Sequence, residues 1–577
     1  MFRSTRYLQP NRQPECSRAK VTRRDVRHRR WLDGAIAGVL FVLTFAVRWP
    51  FTGESFWIDE LHTSWCITGE LSQVAEKARM GNQQPLYFWC MWLWQSIVSP
   101  SSWPSYPAEC LLRLSSVLCV SLSSVVLFRA VLAVGSSSIA ATFAGLALAL
   151  DRNAGFFGTE LRPYAAVILC ATFSLFFAAL LLRHPRNQRL SSWIGLHASV
   201  LVAALMHITS LLTLAPLIVA TMGWSLYRQQ SNESINPDHQ PADRQQVKSK
   251  WHLSFATGWL CVAVAFAFAQ QDVWERRDAW AAFGQPKSLH ALWTLWPWLA
   301  WIVILLPASI LIRWLANSHR ATTPIIASSW LGTTVLVFAA TAGFILADVG
   351  GVPLWHRRYF IAGLPIGCFV LGNWIATLQA ARSYEKLSIG LGALCLILLF
   401  WTQGSIQTGI PPRVASRYWI YRGEPWRESI AHFQSQSKTT YSSGKSLVHL
   451  WLDPDLIEQP WLGGEITDSP LRDYLALPVR GEYAVAAKDD SQTVVVHVLG
   501  ARQPYASWQN ILREQIEREP SAMTSELEEE HWLLTRNLSR QAMQEGNRTA
   551  DDDRARATQV RRFRNLTLFR WGVEPTR

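Results

Sequence analysis

A series of long apolar segments constrains this chain more than anything else in it. They fall at about 32–49, 111–131, 137–153, 163–182, 192–206, 208–226, 252–270, 291–315, 325–347, 358–379 and 387–404, about eleven in all. About 20 apolar residues in a helix match a bilayer's hydrocarbon core. In that core each backbone N–H and C=O needs an internal partner, which leaves helices or closed barrels as spanning forms. The segments lack the alternation of barrel strands, so they predict an all-α polytopic membrane domain. Mean hydropathy is only +0.08 because polar connections and termini dilute the apolar spans. Thirty Trp residues fit helices whose ends lie at membrane interfaces, where the amphipathic indole is stable.

Charge sets the expected sidedness. Residues 1–30 hold ten Arg and Lys against Glu15 and Asp25, a basic arm that should stay in the cytoplasm. The segment that follows lacks a small-residue cleavage site and ends at Arg48-Trp49-Pro50, which predicts a retained first span running outward. Residues 51–110 then form a long outer loop. Within it Ser72–Met80 reads as a short amphipathic helix. The Trp-rich Pro85–Val98 is short for a span and reads as an interfacial helix. With that register the basic connections near Arg129, at 183–191, 227–251, 313–324 and 380–386 all face inward. The net charge of +13 therefore reflects topology, and nucleic acid is not an expected partner.

From about residue 406 the chain becomes polar. An amphipathic helix at Pro425–Gln434 precedes strand-like runs at Leu447–Leu452, Tyr483–Ala487, Thr493–Leu499, Trp532–Thr535 and Leu566–Trp571, with a helix at Ser507–Glu517 and a mobile loop over 540–563. The expected organisation is a basic arm at 1–30, a transmembrane domain at 31–405 and a small α/β domain outside the membrane at 406–577. Cys66, Cys90 and Cys110 share the first outer loop, where one disulfide is conceivable. No spacing of Cys and His suggests a metal site, and neither a metal nor a cofactor is expected.

Three charged clusters stand beside the spans. Asp59 and Glu60, in FWIDELHTSW, lie at the expected outer rim, where an acid suits general-base work or the N-terminus of a helix. Glu160, Arg162 and Tyr164, in TELRPY, open a span at the same rim. Arg162 is a candidate phosphate ligand and Glu160 a candidate sugar ligand, or the two form a local surface pair. His356, Arg357, Arg358 and Tyr359, in WHRRYFIAGLP, place positive charge on the outer side, against the usual bias. An anionic lipid phosphate would satisfy it, as would snorkelling to ordinary headgroups. His207 falls at an outer turn and Trp274 to Arg277 in a loop that could act as a lid.

FWIDELHTSW, QQPLYFW, PAECLLRLSSVL, TELRPYA and RRYFIAGLP together resemble motifs of GT-C class glycosyltransferases that use polyprenyl- or dolichyl-phosphate sugars. The group is similar to the protein O-mannosyltransferases and the lipid A aminoarabinose transferase. The resemblance spans roughly residues 32–405 and implies a GT-C type fold in a bacterial cytoplasmic membrane, with the N-terminus inside and the C-terminal domain outside. It implies a polyprenyl-phosphate-linked sugar donor and Asp59 as catalytic base with Glu60 beside it. By the resemblance Glu160, Arg162 and Tyr164 match a second outer motif, Arg358 and Tyr359 match a late-span motif near the lipid phosphate, and Arg357 would help to neutralise that phosphate. His356 and His207 are substrate-site candidates from their place at the same rim, His207 with a structural role as the alternative. The acceptor, whether protein, glycan or lipid, is left open. Gln83-Gln84-Pro85-Leu86 stands where His-Pro-Pro-Leu is common in the family. A transporter or flippase, and a non-catalytic anchor for the C-terminal domain, are the competing expectations. A transporter predicts ionisable residues at mid-span, whereas here they crowd one rim.

Overall fold

The computed structural model describes residues 23–67, 69–81, 83–98, 108–183, 190–233, 323–349 and 354–379, then 425–439, 446–452, 492–498, 528–536, 559–563 and 566–572, with isolated positions between 255 and 397. Among the described residues five helices are long and apolar enough to cross a membrane: His28–Phe51, Glu109–Val134, Tyr164–Arg183, Ile208–Arg228 and Pro324–Asp348. The expected spans at 252–270, 291–315 and 387–404 lie outside the described residues except at those isolated positions. So do the strand-like Tyr483–Ala487, the helix Ser507–Glu517 and the loop at 271–290.

Helix α1 (Arg23–Arg48) leads into the first loop, which contains α2 (Ile58–Cys66), α3 (Leu71–Met80) and α4 (Pro85–Ile97). The 13 residues of α4 extend about 20 Å, short of a hydrocarbon core of about 30 Å. The middle and C-terminal half of α4 lie beside the first turns of α5 (Ala108–Val134): Trp94 Nε1 donates to Leu111 O (2.9 Å) and Ser115 Oγ to Met91 Sδ (3.4 Å). Its Trp92 Nε1 reaches back to Gly69 O (3.0 Å).

The segment expected at 137–153 is a helix only to Leu150. Asp151 is extended at the junction, and its carboxylate accepts from Ala154 N (2.9 Å), so α6 (Ser138–Leu150) stops and α7 (Arg152–Phe157) starts afresh. An Asp that caps a new helix in this way breaks the old one. Arg48, buried, secures the break by donating to Ala149 O (3.0 Å) and Ala154 O (3.2 Å). Then come α8 (Tyr164–Arg183), α9 (Leu190–Met206), α10 (Leu211–Glu233), α11 (Thr323–Asp348) and α12 (Gly363–Gln379). The span expected from 358 therefore begins later, because Arg357–Phe360 forms a separate 3-10 turn.

Small residues allow the helices to approach closely. At Gly372 of α12 a Cβ would stand 2.8 Å from Ala144 Cβ and 2.9 Å from Ala140 O of α6. Nearby, Ser136 Oγ donates to Asn373 Oδ1 (2.8 Å). Packing of this kind replaces the hydrophobic drive that lipid cannot supply.

The C-terminal segment forms a five-stranded mixed sheet of order β2-β1-β3-β5-β4. The strands are β1 (Ser446–Leu452), β2 (Gln492–Val498), β3 (Glu528–Arg536), β4 (Gln559–Phe563) and β5 (Leu566–Gly572). β1 runs parallel to β2 and β3, and the β4–β5 hairpin closes the other edge antiparallel. Strand β4 corrects the expectation of a loop running to 563. Its Arg-rich QVRRF reads as loop by charge alone, but pairing with β5 supplies its backbone partners. Helix α13 (Trp426–Thr439) lays Trp426, Ile430 and Phe433, one face at helical spacing, into the core, with Phe433 edge-on to Trp532 at 5.5 Å.

Candidate functional site

The two adjacent acids at the start of α2 have different surroundings. Helical geometry turns neighbouring side chains about 100° apart, so Asp59 and Glu60 cannot face one partner. Glu60 turns toward α5. Arg113 grips it two-pronged, with Nε on Oε1 (2.8 Å) and Nη2 in contact with Oε2. Leu161 N also donates to Oε1 (2.7 Å), tying the TELRPY loop to the same carboxylate. The remaining Arg113 hydrogens reach the carbonyls of Thr52 (2.9 Å), Glu54 and Ser55 (3.0 Å). Both side chains are fully buried. An arginine four residues into an apolar span is the signal that sequence reading passed over, since a charge there needs a built partner.

Asp59 turns the other way. Its Oδ2 lies 3.9 Å from Arg162 Nη2 and 3.8 Å from Arg358 Nη1, long contacts compared with those of Glu60. Arg162 Nη1 also donates to the Asp59 carbonyl (3.2 Å). One carboxylate from the first loop thus meets guanidiniums from the start of α8 and from the turn before α12.

Around this group the aromatic and histidine side chains form a row. Tyr164 lies 5.3 Å from His207, and His207 lies 5.9 Å from Tyr359. Tyr359 is in turn 6.0 Å from His356. Arg358 covers the Tyr359 ring at 5.0 Å and donates to its hydroxyl (3.1 Å). His356 Nδ1 accepts from Arg358 N (3.3 Å), and Thr209 Oγ1 lies 2.7 Å from His207 Nδ1. Arg357 points elsewhere, stacking over Phe156 at 4.7 Å and Phe157 at 5.8 Å. Glu160 is buried, and its carbonyl accepts from Ser116 Oγ. The structure therefore gathers Asp59, Arg162, Tyr164, His207, His356, Arg358 and Tyr359 at one end of the bundle. Glu60 and Arg357 lie next to that group with partners of their own.

Other residues join the site that sequence reading left out. Tyr87 is buried, and burial raises its hydroxyl's pKa well above the ordinary 10, against the pull of Arg162. His62 stands edge-on to Phe88 at 6.0 Å and 3.6 Å from Cys66 Sγ. Burial also pushes the Cys66 thiol up. Cys66, Cys90 and Cys110 are all free thiols, so the disulfide considered for this loop does not form among them.

Three histidines are held neutral. Burial lowers His62, His207 and His356 from 6.5 to about 3 each, helped by Arg162 at His62, by Arg358 and Arg162 at His207, and by Arg358 and Arg357 at His356. Below pH 6.5 the unfolded chain protonates these rings while the folded one does not. Their contribution to stability is thus full above that pH and is lost progressively as pH falls toward about 3. Each ring contributes a slope of about 1.4 kcal/mol per pH unit in that window. Thermal unfolding in detergent should occur at lower temperature at pH 5 than at pH 7.5, and His62→Gln should narrow the gap. Identical melting at both pH values would contradict the placement of these rings.

No protein-family profile matches the sequence, and no curated protein matches it. Several solved structures are similar to it. ArnT from Cupriavidus metallidurans in the apo state is 12% identical over 94% of this chain and 98% of its own, with a TM-score of 0.46. Arabinosyltransferase EmbB from Mycobacterium smegmatis is 17% identical over 67% of this chain and 40% of its own, at 0.39. The Archaeoglobus fulgidus oligosaccharyltransferase tethered to an acceptor peptide is 10% identical over 88% of this chain and 69% of its own, at 0.38. The solved structures that this membrane chain resembles thus include an arabinosyltransferase and an oligosaccharyltransferase.

Proposed function

We propose that the protein is a membrane glycosyltransferase that moves a sugar from a polyprenyl-phosphate-linked donor to an acceptor at the outer face of the membrane. The observation that carries this reading is the meeting of Asp59 with Arg162 and Arg358, at 3.9 and 3.8 Å, from three separate parts of the chain. A carboxylate that takes a proton and cations that receive a phosphate are the two halves of a displacement at an anomeric carbon. The motif resemblance assigns the same residues to the same two tasks.

In the proposed step the acceptor O–H or N–H gives its proton to Asp59. The acceptor atom bonds to the anomeric carbon, and the carbon–oxygen bond to the phosphate breaks. The polyprenyl phosphate leaves with the electron pair, and the single displacement inverts the centre. Arg358 and Arg162 stabilise the charge that develops on the leaving phosphate. Their spread over two elements lets them embrace it from two sides. Tyr164, His207, Tyr359 and His356 form a wall of flat faces with polar edges, suited to a sugar ring and the first prenyl unit. Glu160 orients a sugar hydroxyl, Arg357 flanks the phosphate, and Glu60 holds the loop that carries the base.

The test uses purified full-length protein and radiolabelled polyprenyl-phosphate sugars. Arg358→Ala should weaken use of the donor by about 10- to 100-fold in kcat/KM, the worth of one or two charge-assisted bonds to phosphate. Turnover equal to wild type, or transfer only from nucleotide sugars, would overturn the reading.

A further inference from the structure

The C-terminal unit reaches into the machinery that carries Asp59, and it does so through Arg427 in the first turn of α13. Arg427 Nη1 donates to Glu109 Oε1 (2.6 Å), Nη2 donates to Gly53 O (3.2 Å), and its backbone N–H donates to Ser55 Oγ (3.0 Å). Glu109 is buried in the first turn of α5, four residues before Arg113 and so on the same face of that helix. The strand of chain from Thr52 to Ser55 is therefore held by two arginines. Arg113 takes the carbonyls of Thr52, Glu54 and Ser55, while Arg427 takes the Gly53 carbonyl and the Ser55 hydroxyl. Three residues beyond Ser55, α2 begins with Ile58, Asp59 and Glu60.

We infer that Arg427 is a positioning residue, and that the C-terminal unit completes the active site by fixing the 52–55 strap that sets where Asp59 stands. This rests on the reading of Asp59 as the base. The physical reason is that irregular backbone is soft. Carbonyls at 52–55 belong to no helix ladder, so only side-chain donors from outside can hold them. Arg113 comes from the membrane bundle. Arg427 comes from a helix that buries Trp426, Ile430 and Phe433 and packs Phe433 against Trp532 of β3. The bond to Glu109 gives Arg427 a buried carboxylate anchor, which a surface contact between independent domains does not need. A chain of rigid contacts thus runs from the sheet through α13 and the strap to α2.

The test compares wild type with Arg427→Ala, Arg427→Lys and Glu109→Gln in the full chain, by turnover and by hydrogen–deuterium exchange. Arg427→Ala should lower kcat by about 10- to 100-fold, the penalty for a base displaced on the order of 1 Å, while KM for the donor stays near wild type. Arg427→Lys keeps the bond to Glu109 and should recover most of the turnover. Exchange should rise over 52–66, well away from the substituted helix, with no change over 164–183. Full turnover in Arg427→Ala, or faster exchange confined to 426–439, would overturn the inference. If the wild type transfers no sugar, the exchange pattern alone decides whether the strap depends on Arg427, and the failure then belongs to the assignment of Asp59.

Discussion

Asp59→Asn should fold as wild type does, bind the lipid-linked donor and transfer sugar about 10²–10⁴-fold more slowly, the usual range for removal of a positioned base. Two features make this substitution clean. Its backbone carbonyl accepts from Arg162 Nη1 (3.2 Å) and Thr63 Oγ1 (3.1 Å), and these bonds survive the change. The carboxylate contacts it alters include the long ones to Arg162 and Arg358. Single-turnover transfer with prebound donor measures the chemical step, and photo-crosslinking of the donor reports binding separately. A variant that binds donor and transfers at the wild-type rate would remove Asp59 from the mechanism. A non-catalytic membrane anchor predicts instead that wild type itself transfers no sugar and that Asp59→Asn leaves the anchoring role intact.

The second large effect concerns stability. Arg113→Met should destabilise the protein by about 3–5 kcal/mol, because it leaves the buried Glu60 carboxylate without its cation. Arg113 also satisfies the carbonyls of Thr52, Glu54 and Ser55, and a thioether donates to none of them. Arg113→Lys should rescue little. One ammonium cannot present the planar fork that meets both Glu60 oxygens while also reaching toward the strap. Replacing the pair, as in Arg113→Met with Glu60→Leu, should recover only part of the loss. Leu161 N would still lack the Glu60 oxygen it now reaches at 2.7 Å. Thermal unfolding followed by size-exclusion fluorescence reads all three. Melting of Arg113→Met within a degree of wild type would mean that the Arg113–Glu60 clamp carries no structural burden.

These two outcomes separate the neighbouring acids. Glu60→Gln should resemble the Arg113 variants, since it breaks the clamp from the other side. Asp59→Asn should lose activity without losing stability. In the proposed mechanism one residue serves the reaction and the next serves the loop, a division that the 100° turn between successive helical side chains allows.

The sequence by itself determined the helical membrane bundle, because runs of about 20 apolar residues have few other ways to satisfy their backbone in lipid. It also determined that Arg162 and Arg358 stand just before apolar helices, with Asp59 in the loop after the first, and that α4 is short, since length is a local property. What only the tertiary structure decided is who meets whom. Nothing in the FWIDELHTSW motif distinguishes Asp59 from Glu60. Their roles diverge because α5 brings Arg113 to one side of α2, while α8 and the turn before α12 bring Arg162 and Arg358 to the other. The break at Asp151, strand β4 and the grip of Arg427 on the first loop were illegible for the same reason. Each depends on a partner distant in the chain, and the free energy of such contacts is set by geometry that no local pattern of residues records.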